Sequence, residues 1–475
     1  MNFTQSYLYD QKGDDEHIIY HCDGDPVSYG QFKRLVKSYY KHLTDMEISS
    51  KTFVMIMAED DVLPAALICA LFAKGAKVYH TSQHFTLQGL QGLIDAGKFT
   101  HLYIDTKFMM KATKLKNINV HHLKDTYKSY DMDWFDMKFH NYKGSEIALF
   151  FHTTGSTGMP KLIPHTMKNI IEYGKAWVSA LGIRKSDKDI LFCGPKLSFN
   201  YGFGINVLGN IMMRTTAILL KSILTPKKIE YFFERYDPTY LFITPNIANL
   251  MCAKKLDISF KKIRKFISAS DFLPTKVSDK IEKMYNKKLL NIMGQAEMCG
   301  FYTMTDDRTY RKGTVGKPWP GVKLKFDQGK LLVNTPTNAK EYYGESEKSA
   351  ETFLPGNWVL TGDLGHMDEA GHLVFDGRFG NMFKINSNFI VPIEIENAIM
   401  MYEGIQNVVI RPCEEDNLPV LAADLVTSND IDLLDLRKFL SSRLESYKIP
   451  KKFTIVKEIA TLYNGKKIRP VIKQI

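Results

Sequence analysis

Short apolar runs alternate with amphipathic stretches along most of the chain before residue 378. Three early runs, within 52–61, 75–82 and 100–105, are rich in β-branched and aromatic residues, and segments with helical periodicity separate them. Such alternation is typical of α/β units built around parallel strands. The pattern therefore predicts an α/β fold with a large N-terminal domain of mostly parallel sheets flanked by helices.

The chain after residue 378 has a different pattern. The stretch "FKINSNFIV" at 383–391 indicates a short hairpin, and Pro392 is placed to begin a helix. Two strand-like runs, "NVVIRP" and "LAADLV", follow. Helical spacing then relates Leu433, Leu436, Leu440 and Leu444. We expect a large domain over 1–377 and a small α+β domain over 378–475.

The composition is that of a folded globular protein. Apolar residues make up 44% of the 475 residues and charged residues 24%, so neither a disordered nor a membrane class is indicated. The longest apolar run, 62–73, is shorter than the roughly 20 residues that a membrane-spanning helix needs. The N-terminus has neither the basic start nor the apolar core of a secretory signal. We expect a cytoplasmic protein without a membrane span.

The net charge limits the possible binding partners, and the cysteines limit the possible metal and disulfide sites. The formal net charge of +11 would suit nucleic acid, anionic lipid or a polyphosphate substrate, but solvated lysine-rich surfaces are the more common cause of such a charge. The lysine-rich stretch 254–266 mixes its charges into an amphipathic pattern, so we expect no nucleic-acid partner. Six scattered cysteines without a CxxC pair argue against a zinc site and a disulfide framework.

The segment "FHTTGSTGMPKLIPHT" at 151–166 concentrates small, hydroxylated residues in front of one lysine. Glycines let backbone amides approach a ligand, hydroxyls add donors, and a lysine adds positive charge, so the loop is suited to holding phosphates. It is not a Walker A loop, since Pro160 precedes Lys161 and Leu162 follows it. Taken alone, a flexible surface turn is an equal alternative.

The loop resembles the signature of the adenylate-forming superfamily, which includes acyl-CoA and aryl-CoA ligases. Further segments resemble other motifs of that superfamily, and they follow in its order: "MGQAE" (293–297), "GTVGKPWPGV" (313–322), "WVLTGDLGHMDEAGHL" (358–373), "DGRFGNMFKINSNFIVPIEIE" (376–396), and "YKIPKKF" with "NGKKIR" (464–469). The resemblance covers most of the chain. It implies that a carboxylate attacks the α-phosphate of ATP, pyrophosphate leaves, and a thiol then takes the acyl group.

The resemblance also implies a nucleotide site. Its phosphate loop would consist of Thr153, Thr154, Gly155, Ser156, Thr157, Gly158 and Lys161. Glu297 would coordinate Mg²⁺ and take part in catalysis, Asp363 would accept hydrogen bonds from the ribose hydroxyls, and Arg378 would contact ribose or phosphate. Around the adenine and beside it, the implied residues are Ser270, Asp271, Phe272, Asn291, Gly294 and Gln295.

A C-terminal lysine is implied as the main catalytic residue. The Asn-Gly pair of "NGKKIR" predicts a tight turn that presents Lys466, and the spacing to Arg469 favours it over Lys467. Lys466 would neutralise charge between the carboxylate and the α-phosphate. The resemblance further implies a mobile C-terminal domain, which turns about a hinge at Gly380 between the two half-reactions.

Four departures from the superfamily pattern affect these expectations. Ala296 replaces a threonine before Glu297, and Gly380 replaces an aspartate or lysine, which loosens the hinge. Ser387 stands where CoA ligases have a glycine beside the pantetheine path, and "ATLYNGK" lacks the usual Pro-Arg-Thr. Ser387 therefore bears on the second half-reaction, the transfer to the thiol, more than on adenylation.

The acid pocket is implied by the segment 195–206, which resembles part of the benzoate-type ligases. The pocket candidates are Lys196, Tyr201, Phe203, Met293 and Met298. Core packing is an equal alternative for the aromatic residues, and methionines adapt to many shapes. We expect a fatty acid, since chain-like acids are the commoner substrates, with an aromatic acid as the alternative.

The resulting hypothesis is a ligase that uses ATP and Mg²⁺ to activate a carboxylic acid and passes it to CoA. One rival is a stand-alone adenylation enzyme that loads a carrier protein. Another is a degenerate homologue that only binds a nucleotide or acyl ligand, although the motif residues from Lys161 to Lys466 are intact. A third, a basic nucleic-acid or membrane-surface protein, rests on charge alone and predicts binding that collapses with salt.

Overall fold

The structure is a computed structural model, and it describes residues 1–23, 25–125, 137–153, 160–183, 188–222, 224–385, 388–415 and 418–460. The strands of the first two sheets are β1 (Ile18–Cys22), β2 (Asp25–Ser28), β3 (Phe53–Met57), β4 (Lys77–His80), β5 (His101–Ile104), β6 (Asn119–His122), β7 (Ile147–Thr153), β8 (Lys161–Thr166), β9 (Ile190–Cys193), β10 (Thr216–Leu219), β11 (Tyr240–Ile243), β12 (Lys265–Ser268), β13 (Leu289–Gly294), β14 (Phe301–Met304) and β15 (Lys317–Pro318). Between them lie the helices α1 (Tyr29–Asp45), α2 (Val62–Lys74), α3 (Leu87–Gly97), α4 (Met109–Ala112), α5 (Met167–Leu181), α6 (Asn200–Phe203), α7 (Asn210–Met213), α8 (Pro226–Tyr236), α9 (Pro245–Lys254) and α10 (Thr275–Tyr285).

These strands form two large sheets. In the described residues, the larger sheet has the order β15–β14–β13–β12–β11–β9–β10–β1–β2, and the smaller has the order β6–β5–β3–β4–β7–β8. Neighbouring strands are parallel from β13 to β1 and from β6 to β7. Antiparallel pairs occur at the sheet edges. The predicted α/β fold with mostly parallel sheets is thus confirmed.

Helix α2 is the apolar run noted at 62–73. Its residues from Pro64 to Ala73 are all buried, as expected for a helix that is apolar on every side. Asp61 caps its first turn, and Gly75 ends it at φ +83°, where a Cβ would clash with the ring of His140. Among the helices of the described ranges, none is both long enough and apolar enough to cross a bilayer.

A third, antiparallel sheet follows. It contains β16 (Lys323–Asp327), β17 (Lys330–Asn334), β18 (Phe353–Leu354), β19 (Trp358–Met367) and β20 (Leu373–Arg378), with α11 (Ser346–Thr352) before β18. Strand β19 pairs with β17, β18 and β20. Its register with β20 places Asp363 opposite Arg378. Pairing of β19 with β20 therefore places Asp363 beside Arg378, although the two are 15 positions apart in the sequence.

The C-terminal segment forms a smaller α+β unit. Its elements are β21 (Phe383–Ile385), β22 (Asn388–Ile390), α12 (Pro392–Met400), β23 (Ile405–Glu415), β24 (Leu418–Thr427), α13 (Leu433–Ser441) and β25 (Lys452–Ile455). The hairpin and the helix beginning at Pro392 agree with the sequence pattern. The unit has its own apolar core, which includes Ile395, Ile399, Ile410, Leu425, Leu436 and Leu440.

The junction between the two parts is a short turn at Phe379–Asn381, which contains the predicted hinge residue Gly380. Across the junction, the Lys276 ammonium donates to the Tyr402 carbonyl at 2.7 Å. The Asn249 amide donates to the Gln406 carbonyl at 3.3 Å. The domain bounds and the mobility of the C-terminal unit stay predictions.

Three buried histidines give a prediction about acid stability. Burial lowers the pKa of His80, His152 and His165 from 6.5 to about 4. The unfolded chain takes up these protons near pH 6.5 and the folded chain does not, so stability falls as the pH drops from about 6.5 towards 4. Between pH 7 and pH 5, each histidine should remove about 2 kcal/mol from the free energy of unfolding.

Urea denaturation at pH 7 and pH 5 measures this loss. His152 lies among the rings of Tyr79, Phe85 and Phe199, so His152→Phe should fold and lose its share of the pH dependence. An unchanged pH dependence in that variant would show that His152 does not contribute.

Candidate nucleotide site

Asp363 is a buried carboxylate that binds two less buried polar side chains. Its Oδ1 accepts a hydrogen bond from Arg378 Nε at 2.8 Å, and its Oδ2 accepts one from Gln295 Nε2 at 2.6 Å. The Asp363 backbone N–H donates to Thr361 Oγ1 at 3.0 Å. Asp363 is 1% exposed, and its charge raises the pKa of Arg378. A carboxylate offers about four acceptor positions, and two of them are used by Arg378 and Gln295.

Glu297 is held in a short turn directly after β13. Its Oε1 accepts a hydrogen bond from the Tyr342 hydroxyl at 2.8 Å, and its carbonyl accepts one from the Ala339 N–H at 2.8 Å. Burial and the Glu297 charge raise the pKa of Tyr342, so its hydroxyl remains a donor. The Glu297 carboxylate is therefore fixed in orientation before any ligand binds.

The donor set around Glu297 fits magnesium bound together with a nucleotide. In the described part of the chain, no group of three or more histidine, cysteine or acidic residues is arranged to hold a metal by itself. Magnesium at phosphate sites takes one or two carboxylates and fills its remaining positions with phosphate and water oxygens. Glu297 provides one such carboxylate, only 8% exposed, and its negative charge acts on the Lys161 ammonium. When bound, the ion would neutralise charge on the phosphates.

The predicted phosphate loop lies between the antiparallel strands β7 and β8. Thr153 and Lys161 face each other in their register and so mark the two ends of the loop. The predicted phosphate-binding residues between them, Thr154, Gly155, Ser156, Thr157 and Gly158, lie outside the described ranges. The Lys161 ammonium lies 4.4 Å from the ring centroid of Tyr342, and partial burial lowers the pKa of Lys161. Lys161 thus contacts the tyrosine that binds Glu297.

The predicted adenine segment follows β12. Ser270 has φ +79°, and both Ser270 and Asp271 are exposed. The Asp271 carboxylate accepts a hydrogen bond from the Phe272 N–H, and the Phe272 ring lies 6.0 Å from that of Phe375. Asn291 lies on β13, where its side-chain amide donates to the Thr314 carbonyl at 3.3 Å. The side-chain carbonyl of Asn291 is the group that would face an adenine amino group.

The residues predicted to line the acid pocket have different neighbours in the structure. The Lys196 ammonium binds the carbonyls of Leu220 and Ser222 and lies 3.9 Å from Asp60. Burial raises the pKa of Asp60 to about 6, and the Lys196 charge opposes this rise. In this structure the Lys196 ammonium therefore binds groups of the protein itself.

Tyr201 and Phe203 lie in the main apolar core. They are 5% and 1% exposed, and the Tyr201 hydroxyl donates to the Ile267 carbonyl at 3.3 Å. The Trp177 ring stacks on Tyr201 with centroids 6.0 Å apart. Met293 and Met298 instead pack with Tyr302 and the third sheet. The structure does not group the two methionines with the two aromatic candidates.

Lys466 and Ser387 lie outside the described ranges, so their roles stay predictions.

Two further residues near the predicted site are not identified by the sequence analysis. Tyr342 stands in "KEYYGE", a stretch without a recognisable pattern. His165 is fully buried, and its Nε2 lies 2.8 Å from the Ala296 carbonyl, next to Glu297. The sequence feature that could have identified His165 is its position shortly after the predicted phosphate loop.

The described geometry agrees with a comparison against protein families. The family model described as AMP-binding enzyme matches residues 8–343. The chain belongs to the AMP-binding enzyme family. The match includes the phosphate loop, Glu297 and Tyr342, and it ends before Asp363. The resemblance that the sequence motifs indicated is thereby confirmed.

The chain is similar to several ligases. It is 27% identical over 343 residues to benzoate–CoA ligase of Thauera aromatica, a match that covers 67% of this chain and 64% of the relative. It is 26% identical over 347 residues to long-chain-fatty-acid–CoA ligase of Bacillus subtilis, covering 68% of this chain and 61% of the relative. Both matches span less than two thirds of the relative's length.

The fold of the AMP-binding enzyme extends over almost the whole chain. An anthranilate CoA ligase solved in complex with anthranoyl-AMP superposes with a TM-score of 0.90. The two proteins are 19% identical, and the superposition covers 98% of this chain and 95% of the other. At this identity the superposition supports a common fold, including the smaller C-terminal unit.

Proposed function

We propose that the protein is an ATP-dependent acid–thiol ligase of the AMP-forming type. A carboxylate oxygen would attack the α-phosphorus of ATP, the bond to pyrophosphate would break, and the thiol of CoA would then displace AMP from the acyl-adenylate. The observation that carries this proposal is the pairing of a fixed carboxylate at Glu297 with a second, buried carboxylate at Asp363. The two have distinct surroundings, which suit a metal–phosphate site and a ribose site.

The roles of the residues follow from charge and geometry. Lys161 and Lys466 would balance the phosphate charge, and Glu297 would hold Mg²⁺. Because the attacking carboxylate and ATP are both anions, electrostatic stabilisation is the largest requirement of the first step. Asp363 would orient the ribose through two hydroxyls while Arg378 and Gln295 hold its carboxylate in place.

For the acid substrate, we propose an aromatic acid in preference to a fatty acid. The sequence analysis favours a fatty acid only because chain-like acids are the commoner substrates. Aromatic rings lie beside Tyr201: Trp177 stacks on Tyr201 and lies 4.7 Å from Phe301. A Cβ on Gly300 would lie 2.1 Å from the Tyr173 ring, so that ring packs directly on the backbone there. A compact, flat acid suits such surroundings better than a long alkyl chain, and the likeness to benzoate–CoA ligase agrees. A fatty acid remains the alternative.

The acceptor is proposed to be CoA, with a carrier-protein arm as the alternative raised by Ser387. Mass spectrometry of the products tests acid and acceptor in one experiment, with ATP, Mg²⁺, CoA and a pool of aromatic and fatty acids. Aryl-CoA products would support the proposal, and fatty acyl-CoA products would change the substrate class. Acyl-adenylates without thioesters would favour a carrier protein. No product from any acid, together with no ATP binding, would contradict the ligase.

Glu297→Gln tests the magnesium assignment. The amide keeps an acceptor for the Tyr342 hydroxyl but removes the negative charge, so we expect the Mg²⁺ concentration for half-maximal adenylation to rise at least about 10-fold. ATP binding in EDTA should stay unchanged. Glu347→Gln, at an exposed position of α11, is the matched control. Equal Mg²⁺ dependence in both variants would remove the metal role of Glu297.

A further inference from the structure

Tyr342 contacts two residues of the phosphate side of the site. Its hydroxyl donates to Glu297 Oε1 at 2.8 Å, and its ring centroid lies 4.4 Å from the Lys161 ammonium. Tyr342 is 6% exposed and Glu297 is 8% exposed. A single side chain therefore joins the end of the phosphate loop to the carboxylate proposed to hold the metal.

We propose that Tyr342 is a positioning residue for the magnesium–phosphate half of the site. Its hydroxyl sets the orientation of the Glu297 carboxylate, and its ring holds the Lys161 ammonium on the same side. Hydrogen-bonded partners of metal ligands fix the direction of the ligand lone pairs, and their loss weakens metal binding. A cation over an aromatic face is attracted by the ring quadrupole. The inference rests on the proposed function, since it concerns the same nucleotide site.

The surroundings of Tyr342 make it suitable for this role. The Tyr342 N–H donates to Ser349 Oγ at 2.9 Å, and its ring packs edge-on against Phe353 with centroids 5.0 Å apart. On one side of it, the Ala339 N–H donates to the Glu297 carbonyl at 2.8 Å. On the other side, the N–H of the next residue donates to the Leu162 carbonyl at 2.8 Å.

These bonds connect the segment that carries Tyr342 both to the Glu297 turn and to strand β8. Glu297 and Tyr342 are separated by 45 positions along the chain, and Lys161 lies farther still from both. Rigid support of this kind is what a ligand-orienting group needs, because its own position must not vary. Loss of the hydroxyl alone should therefore change metal binding without changing the fold.

Tyr342→Phe tests the inference by nucleotide binding, measured by calorimetry with and without Mg²⁺. The variant keeps the ring over Lys161 and removes the donor to Glu297. We expect the Mg²⁺ concentration for half-maximal enhancement of ATP binding to rise about 10-fold, at the lower end of the effect for such partners. ATP affinity in EDTA and the melting temperature should match the wild type.

Tyr343→Phe is the matched control, since the Tyr343 ring packs against Phe150 at 5.3 Å, away from Glu297. It should keep the wild-type Mg²⁺ dependence. Combining Tyr342→Phe with Glu297→Gln supplies a second test. If the tyrosine acts through Glu297, the double variant should have the Mg²⁺ dependence of Glu297→Gln alone.

Two results would overturn the inference while leaving the proposed function intact. One is a Tyr342→Phe variant that shares the Mg²⁺ dependence of the wild type and of Tyr343→Phe. The other is an equal loss of ATP affinity with Mg²⁺ and in EDTA, which would indicate a purely structural role. Absence of ATP binding by the wild-type chain would instead overturn the proposed function and this inference with it.

Discussion

Lys466→Ala is expected to abolish adenylation while leaving ATP binding largely intact. The lysine would stabilise charge that develops only when the carboxylate attacks the α-phosphate, so its loss should raise the barrier and spare the ground state. Removing one such group typically costs about 100-fold to 1000-fold in rate. Single-turnover formation of acyl-adenylate, measured beside ATP affinity, separates the two effects.

The adjacent lysine provides the control for this prediction. Lys467→Ala has the same loss of charge one position away and should form adenylate at nearly the wild-type rate. Near wild-type adenylation by Lys466→Ala would mean that the C-terminal assignment is wrong. An inactive Lys467→Ala with an active Lys466→Ala would shift the assignment by one residue.

Asp363→Ala is expected to weaken nucleotide binding itself. Two hydrogen bonds from ribose hydroxyls to a charged acceptor would be lost. At roughly 1.5–3 kcal/mol for each bond to a charged group, one lost bond corresponds to about 10-fold to 100-fold in affinity, so the loss of both should exceed about 100-fold. The substitution also removes the acceptor for Arg378 Nε and Gln295 Nε2. Calorimetry with ATP and AMP measures the effect, and both ligands should be affected alike because they share the ribose.

An effect of Asp363→Ala on folding must be distinguished from its effect on ATP binding. Asp363→Asn keeps the shape and one acceptor oxygen, so it should retain the melting temperature more fully while still binding ATP weakly. Asp376→Asn, on the neighbouring strand β20, removes an exposed aspartate that pairs with His366 and should bind normally. ATP affinity equal to wild type in Asp363→Ala would remove the ribose role.

Much of the architecture could be predicted because its signals are local. The alternation of short apolar runs with helical periodicity reflects which faces of each element become buried, and it identified the mostly parallel sheets. Likewise, Pro392 begins α12 as expected, since proline fits the first helical turn. The signature of the phosphate loop also depends on neighbouring residues alone.

The partners of the predicted pocket residues show what local reasoning does not reach. Motif resemblance groups Lys196 and Met298 with Tyr201, and that grouping stays a prediction. In the structure, Lys196 binds the Leu220 and Ser222 carbonyls, and Met298 packs with the third sheet. A long side chain can reach several partners, and its choice depends on which carbonyls the surrounding strands leave unpaired. Side-chain type and order along the chain do not contain that information.

By itself, the sequence determined the fold class, the family and the identity of the charged groups, because residue types and their spacing carry that chemistry. Only the tertiary structure decided which side chains hold those groups in place. Register across β19 and β20 sets Arg378 against Asp363, and packing between the Glu297 turn, strand β8 and the segment before α11 sets Tyr342 between Glu297 and Lys161. Contacts between residues far apart in sequence arise from the packing of whole elements, and no local pattern in the chain records them.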